Sequence, residues 1–390
     1  MIKSLEDWDA RVVLENYSLR ESLRNDNSHF KGIRVALACL KAEIAKSTFE
    51  AASILSWTWS AITLKGFGVS NLRELGVSVS EHARNIVGII ASPFVYNDYA
   101  INTFLTLGPD ETPQLPETEA EIGKLYAVAE AVDQVFTRLG IAYSACSGTV
   151  LGIERSRSFI KGDDDVDLLF DEKYLPQMNF LFDEGIFEKM TGIKVFNQKK
   201  HTNGWQCYHE AAKKPDGKND VPANYFVDVM PVRDENGKFV FTHDDLRQRF
   251  LNDYMTVSEL SELESKSFGP ISLKAPKESR NYVVRAYREQ GLKISYKFAS
   301  HQVIGGAVAN LTSPSHIWQL VKGIFETRRR IAITKPTSYD REVFEKARKD
   351  IAERICSFQD ELKDNPELRE KFEKNKIPYE FFMYAVYDAR

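Results

Sequence analysis

Cysteine is scarce in this chain: four in 390 residues, at Cys39, Cys146, Cys207 and Cys356, with no Cys-x-x-Cys pair. That scatter indicates neither a disulfide framework nor a zinc ribbon. Long apolar runs are missing as well. The longest candidate, Ile86–Ile90 with Pro93 and Phe94, is far shorter than the ~20 residues that a bilayer-spanning helix needs. The amino terminus, Met1-Ile2-Lys3-Ser4-Leu5-Glu6-Asp7, has no apolar segment of the secretory kind, so the cytoplasm is the expected location. An excess of positive charge is lacking too. The formal net charge of −4 supplies no global attraction for a polyanion and argues against nucleic acid as a partner. No internal repeat is evident. What remains is ordinary for a soluble globular protein, 43% hydrophobic and 28% charged.

The length predicts two or three units, on a prior of about 100–200 residues per domain. Residues 1–108 read mainly as helix: one over Val35–Leu40 continuing through Ala42, Ile44 and Ala45, and a second over Ala51–Leu64. The prolines from Pro109 to Pro116 mark a linker, residues 109–117. Thr118, with Glu121 three residues on, has the signature of a capping box. The helix it opens carries Ile122, Leu125, Ala129, Val132, Phe136 and Leu139 on one face. A catalytic domain is expected over residues 118–298, and a helical C-terminal region over 299–390.

The informative stretch is Asp163-Asp164-Asp165-Val166-Asp167, sixteen residues after Ser147 of Ser147-Gly148-Thr149. Four carboxylates in five residues repel one another, and an acidic cluster between elements is most often a solvated turn. The context here favours more. Val166, Leu168, Leu169 and Phe170 form β-strand sequence with no helical period. Alternation in a strand turns Asp165 and Asp167 to one face and Val166 to the other. Two carboxylates side by side suit a divalent cation, which offsets their repulsion and takes oxygen ligands. Asp163 lies on the same face by the period of two, or else ends the strand. Upstream, Ile141–Cys146 reads as a short buried strand running into Ser147-Gly148-Thr149, where glycine permits close backbone approach and exposed N–H groups can hold phosphate oxygens. Downstream, Tyr225–Met230 is a second apolar strand with one acid, Asp228. A lone buried carboxylate is costly unless paired, hydrogen-bonded or metal-bound, which makes Asp228 the third candidate ligand.

Ser147-Gly148-Thr149-Val150-Leu151-Gly152, Arg155, Phe159-Ile160 and the Asp163–Asp167 run together resemble the signature of the LicD/fukutin-related family. Phe226-Val227-Asp228-Val229 resembles its third-carboxylate strand, and Phe268-Gly269-Pro270-Ile271 with Leu273, Ala275, Pro276 and the Tyr282–Tyr287 helix its later segment. The resemblance spans about residues 118–295. The chain departs from the pattern in Lys161-Gly162, where Pro-Trp is usual, and in Ser156, where His is common. The resemblance implies an α/β (α+β) nucleotidyltransferase, polymerase-beta-like core with helical additions at both ends. It also implies an enzyme that moves a phospho-substituent, of the phosphocholine or polyol-phosphate type, from a CDP-linked donor to a hydroxyl of a glycan or glycolipid acceptor, releasing CMP. The expected settings are capsule, lipopolysaccharide or teichoic-acid-like polysaccharide, at the inner face of the membrane.

In that reading Asp163, Asp165, Asp167 and Asp228 hold Mg²⁺ or Mn²⁺, and Asp165, Asp167 and Asp228 are catalytic. Asp228 lies near the acceptor hydroxyl. Ser147, Gly148, Thr149, Arg155 and Lys161 form the donor-phosphate subsite, Arg155 because guanidinium matches phosphate oxygens bidentately. Rival readings are an Asp-x-Asp glycosyltransferase, which would want a nucleotide-binding α/β half before the motif, and a non-catalytic scaffold, which would be expected to have lost a carboxylate. His201, Cys207 and His209 could be read as zinc ligands, but no fourth ligand falls at regular spacing and structural roles are favoured. Trp205 or Tyr208 could stack on a base or sugar, though such aromatics are more often core or rim. A helix over Ile317–Phe325 ending in Arg328-Arg329-Arg330 offers either a peripheral contact with an anionic membrane or, the favoured role, packing against the catalytic domain.

Overall fold

A computed structural model describes residues 2–24, 31–62, 69–94, 97–109, 114–209, 225–297 and 328–377. The chain divides into two compact units, residues 1–111 with 287–333 and residues 112–286 with 334–390. Among the described residues no helix is long and apolar enough to cross a membrane.

The first unit is built on helices α1 (Ile2–Arg24), α2 (Lys31–Ile62), α3 (Val69–Ala91) and α4 (Asn97–Phe104). The two helices expected over 35–45 and 51–64 are one. No proline or glycine interrupts residues 33–62, and Lys46 pairs with Glu50 one turn on at 2.8 Å, so nothing stops the helix between them. Leu23, Val35, Ala38, Cys39, Ile101 and Leu105 make its core. A two-stranded ribbon, Ile294–Lys297 against Arg328–Ile331, belongs to the same unit. Arg328–Arg330 are therefore strand residues and not the end of a basic helix; Ile317–Phe325 lie outside the described residues.

The second unit opens with α5 (Pro116–Arg138). Its N-cap is Leu115, without a side-chain hydrogen bond, and proline occupies the first turn. The capping box expected at Thr118 does not form, because the helix has begun before Thr118 and Glu121 is paired instead with Lys124. A proline is tolerated there, since its missing N–H would have had no partner in the helix. The apolar face lies as read: Ile122, Leu125, Ala129, Val132, Phe136 and Leu139 are all buried.

That face supports a seven-stranded mixed sheet. Its strands are β1 (Tyr143–Ala145), β2 (Asp165–Asp171), β3 (Lys194–Asn197), β4 (Trp205–Tyr208), β5 (Phe226–Asp234), β6 (Lys238–Phe241) and β7 (Met255–Thr256), with the order β1-β2-β5-β4-β3 and β6 and β7 continuing from the far end of β5. Only β2 and β5 run parallel. Helix α6 (Ser147–Ser156) links β1 to β2. A hairpin of β8 (Leu263–Phe268) and β9 (Ile271–Pro276) turns on Gly269-Pro270. Gly269 is in the left-handed region (φ +59°), and a Cβ there would stand 2.4 Å from the Tyr126 ring, so this turn needs glycine on both counts. The charged C-terminal segment is helical, Arg341–Asp364 and Pro366–Lys374, but it packs within the second unit and does not form a separate region. The start of this segment lies close against Gly123 of α5, where a Cβ would stand 2.7 Å from the Asp340 carbonyl oxygen.

Candidate active site

Parallel pairing of β2 with β5 sets Asp167 beside Asp228, in register. Asp165 is two residues before Asp167 on the same strand and so shares its face. Carboxylate oxygens of Asp165, Asp167 and Asp228 come within 4.8 Å of one another, as do those of Asp163, Asp164 and Asp165. The apolar neighbours do the opposite job. Val166, Leu168, Val227 and Val229 are buried completely and fix the strands that carry the acids. Asp163 precedes β2 in a turn closed by its N–H to the Ile160 carbonyl at 3.0 Å, built on Gly162 at φ +87°. A Trp at that position would be strained, which gives the departure from the family pattern a local reason.

The sequence had glycine at 148 for a ligand's approach. Here the group that comes close is Asp163: a Cβ on Gly148 would stand 2.9 Å from its Oδ2 and 4.0 Å from Asp167 Oδ2. The hydroxyls beside Gly148 are engaged inside the protein. Thr149 Oγ1 accepts the Asp167 N–H at 2.8 Å, tying α6 to the strand. Ser147 Oγ donates to Asp253 Oδ2 at 2.7 Å, and the Ser147 N–H donates to Tyr282 Oη at 2.7 Å. Tyr282 Oη in turn donates to Asp253 Oδ1. This closed ring holds Ser147 at φ +46°, a left-handed conformation rare for serine. Asp253 was not legible as a site residue, for it stands more than a hundred positions from Ser147 in a segment with no motif. Arg155 lies near enough to Asp163 to lower its pKa electrostatically. Lys161 sits in the turn before the acids.

The electrostatics of the cluster run against its ionisation. Burial, then Asp164, pushes Asp163 up to about 7. Burial, then Asp163 and Asp228, raises Asp165 well above the usual carboxylate range, and burial with Asp165 and Asp228 does the same to Asp167. Asp228 is pushed up to about 7 by burial, against a hydrogen bond from Gln206 that lowers it. Desolvated acids gathered beside other acids fit a hard divalent cation, which would satisfy oxygen ligands and cancel their repulsion. The residues at 201–209 make no such set. Cys207 is fully buried and burial raises its thiol pKa, while His201 is exposed in the hairpin turn. Trp205 is 1% exposed and donates its indole N–H to Asp183 at 2.8 Å, so it is core and cannot stack on a ligand.

A family model described as "LicD/FKTN/FKRP, nucleotidyltransferase domain" matches residues 140–278, from the turn before β1 to just past β9. That segment is similar to the LicD domain. The chain is also similar, at 24% identity over 215 residues, to an uncharacterized protein of Rickettsia prowazekii, covering 53% of this chain and 72% of that protein. A second uncharacterized protein, from Rickettsia typhi, is 24% identical over 229 residues, covering 55% of this chain and 65% of the relative. Every residue of the carboxylate cluster falls inside the LicD segment, as do Ser147 and Asp253; Tyr282 lies four residues beyond it. A domain of the LicD kind suggests a transferase of the glycan-modifying, phosphotransferase sort.

Proposed function

We propose that this protein is a metal-dependent transferase with a nucleotidyltransferase-type core. It would move a substituted phosphate, such as phosphocholine or a polyol phosphate, from a CDP-activated donor to a glycan hydroxyl. One observation carries the reading: the parallel β2–β5 register gathers Asp165, Asp167 and Asp228 on one face, under the first turn of α6. Those three acids, with Asp163, would hold Mg²⁺ or Mn²⁺. Bound cations of this kind stabilise charge on the attacking and leaving oxygens of an in-line displacement.

The chain's own residues would do the rest. The acceptor hydroxyl oxygen forms a bond to the donor phosphorus, the phosphoanhydride bond to CMP breaks, and the hydroxyl proton passes to Asp228. Because the Ser147 and Thr149 hydroxyls are engaged internally, the donor phosphates would meet backbone N–H groups at the start of α6, with Arg155 and Lys161 as the cationic side. The ring of Ser147, Tyr282 and Asp253 keeps that turn in one conformation, which favours oriented binding.

The test is turnover with a panel of CDP-linked donors and sugar or polyol acceptors in Mg²⁺ or Mn²⁺, beside Asp165→Ala and Asp167→Ala. Metal-dependent CMP release that both variants lose is the expected result. Binding of a UDP- or GDP-sugar in place of every CDP compound would overturn it.

A further inference from the structure

Asp228 stands in a row of residues that crosses the sheet on one face. On its β2 side is Asp167, and on its β4 side, in antiparallel register, is Gln206. Gln206 is 8% exposed, and its side-chain amide hydrogen-bonds the Asp228 carboxylate. An amide can meet its neighbour with either end, and a buried Gln206 turned the wrong way would set its carbonyl against the carboxylate. Gln198 removes that choice. Its Nε2 donates to Gln206 Oε1 at 2.9 Å, which commits the Gln206 NH₂ to Asp228. Gln198 is itself fixed, its N–H donating to the Gly204 carbonyl at 2.9 Å and its carbonyl accepting from His201 and Thr202 N–H across the β3–β4 turn.

We infer that Gln198 and Gln206 form a positioning relay that aims the Asp228 carboxylate at the cation site without neutralising it. The inference rests on the metal-site reading above. A neutral donor is the chemically fitting choice. A lysine or arginine at 206 would orient Asp228 equally well, yet would supply the positive charge that the cluster otherwise takes from a divalent cation. The amide leaves the full negative charge in place, occupies one acceptor position, and leaves the rest of the carboxylate to the side where Asp165 and Asp167 lie. Partners of this kind behind a ligand commonly govern metal affinity by 10–100-fold.

The experiment is Mn²⁺ binding to the full chain, followed by the EPR signal of free Mn²⁺, for wild type, Gln206→Met, Gln198→Met, the double variant and Asp165→Ala. Methionine keeps the length of glutamine and removes its hydrogen bonds. Gln206→Met is expected to weaken Mn²⁺ about tenfold or more, Gln198→Met by a smaller factor, and the double variant no more than Gln206→Met alone. Thermal unfolding without metal serves as the control for packing, and Gln198, at the turn, can be changed without opening the core. Wild-type affinity in both single variants, with Asp165→Ala unable to bind, would overturn the relay and leave the metal site standing. Additive losses in the double variant would also overturn it. A wild-type protein that binds no Mn²⁺ removes the metal site itself, and the relay with it.

Discussion

Each unit has a cluster of buried carboxylates, and the two clusters are treated in opposite ways. In the helical unit Asp9 and Glu81 face protein cations. Glu81 lies 2.6 Å from Lys46 and also pairs with Arg329, and Asp9 lies 2.9 Å from Arg329. Burial works against ionisation there too, but Arg329 and Lys46 overcome it and hold Glu81 below the usual range. Glu50 is brought to about 2 by His82 and Lys46, although its burial works the other way. In the sheet unit Asp163, Asp165, Asp167 and Asp228 are all shifted upward. Acids supplied with internal cations make structure. Acids that the fold gathers and leaves short of positive charge are the candidates for a cation site, and that contrast picks them out without reference to any relative.

The largest test swaps charge for amide on each side. Asp167→Asn is expected to lower turnover by roughly a thousandfold or more, since it removes one of the proposed cation ligands. The same change should raise the urea midpoint of the metal-free protein, because it relieves repulsion. Glu81→Gln should do the reverse, costing roughly 3–5 kcal/mol by leaving Lys46 and Arg329 facing a neutral group. If both substitutions shift the midpoint in the same direction, the distinction between the units fails.

pH sharpens the comparison next. Asp163 and Asp228, at about 7 in the folded chain, bind protons more tightly than an unfolded aspartate does at about 3.9. Their contribution is therefore fully present below about 4 and is lost as pH rises through about 7. Divalent cation should replace it. Mg²⁺ or Mn²⁺ is expected to raise the melting temperature at pH 8 and much less at pH 5, measured with and without EDTA. An equal rise at both values would mean that the acids do not hold the ion.

Between these in size comes the ring under the α6 turn. Tyr282→Phe takes away the group that accepts the Ser147 N–H and donates to Asp253, leaving polar atoms unpaired at a cost of about 1–3 kcal/mol. Donor affinity should fall with it, while Mn²⁺ affinity should hold, because the proposed ligands Asp165, Asp167 and Asp228 are on β2 and β5. Loss of Mn²⁺ binding in this variant would show that the two functions are not separable in the fold.

The sequence-legible part of the site is the part carried by local pattern. Asp165 and Asp167 share a face because a strand alternates, and Asp228 betrays itself as a lone acid among β-branched residues. The face of α5 follows from its period. Gln206 and Asp253 follow from nothing local: one depends on the antiparallel β4–β5 register, the other on a ring closed across more than a hundred residues. The same holds for the C-terminal helix, whose place on α5 needs the absence of a side chain at Gly123 as well as a pairing of Arg348 with Glu130 at 2.8 Å. Capping at α5 misled for a different reason. Thr118 and Glu121 satisfy the pattern, but Pro116 starts the helix two residues earlier and so removes the need for it.

The smallest effect belongs to His82, the hinge of the acid pairing in the helical unit. Its Nδ1 lies 2.6 Å from Glu43 and its Nε2 2.6 Å from Glu50, so both ring nitrogens face carboxylates from α2. The hydrogen bond to Glu50 raises its pKa, burial opposes, and Glu43 adds to the rise. A histidine raised above its ordinary ~6.5 stabilises the fold fully below that value, and the gain is lost as pH climbs through the folded pKa. Glu50, at about 2, stays ionised throughout that window and contributes no titration of its own. His82→Gln is therefore expected to cost roughly 1–2 kcal/mol at pH 6 in urea unfolding, and less at pH 9, where the neutral imidazole can donate to only one of its two acids. A difference that stays constant across that range would assign the α2–α3 clamp to neutral hydrogen bonds alone, and the helical unit would then lose one of the internal cations that set it apart from the sheet.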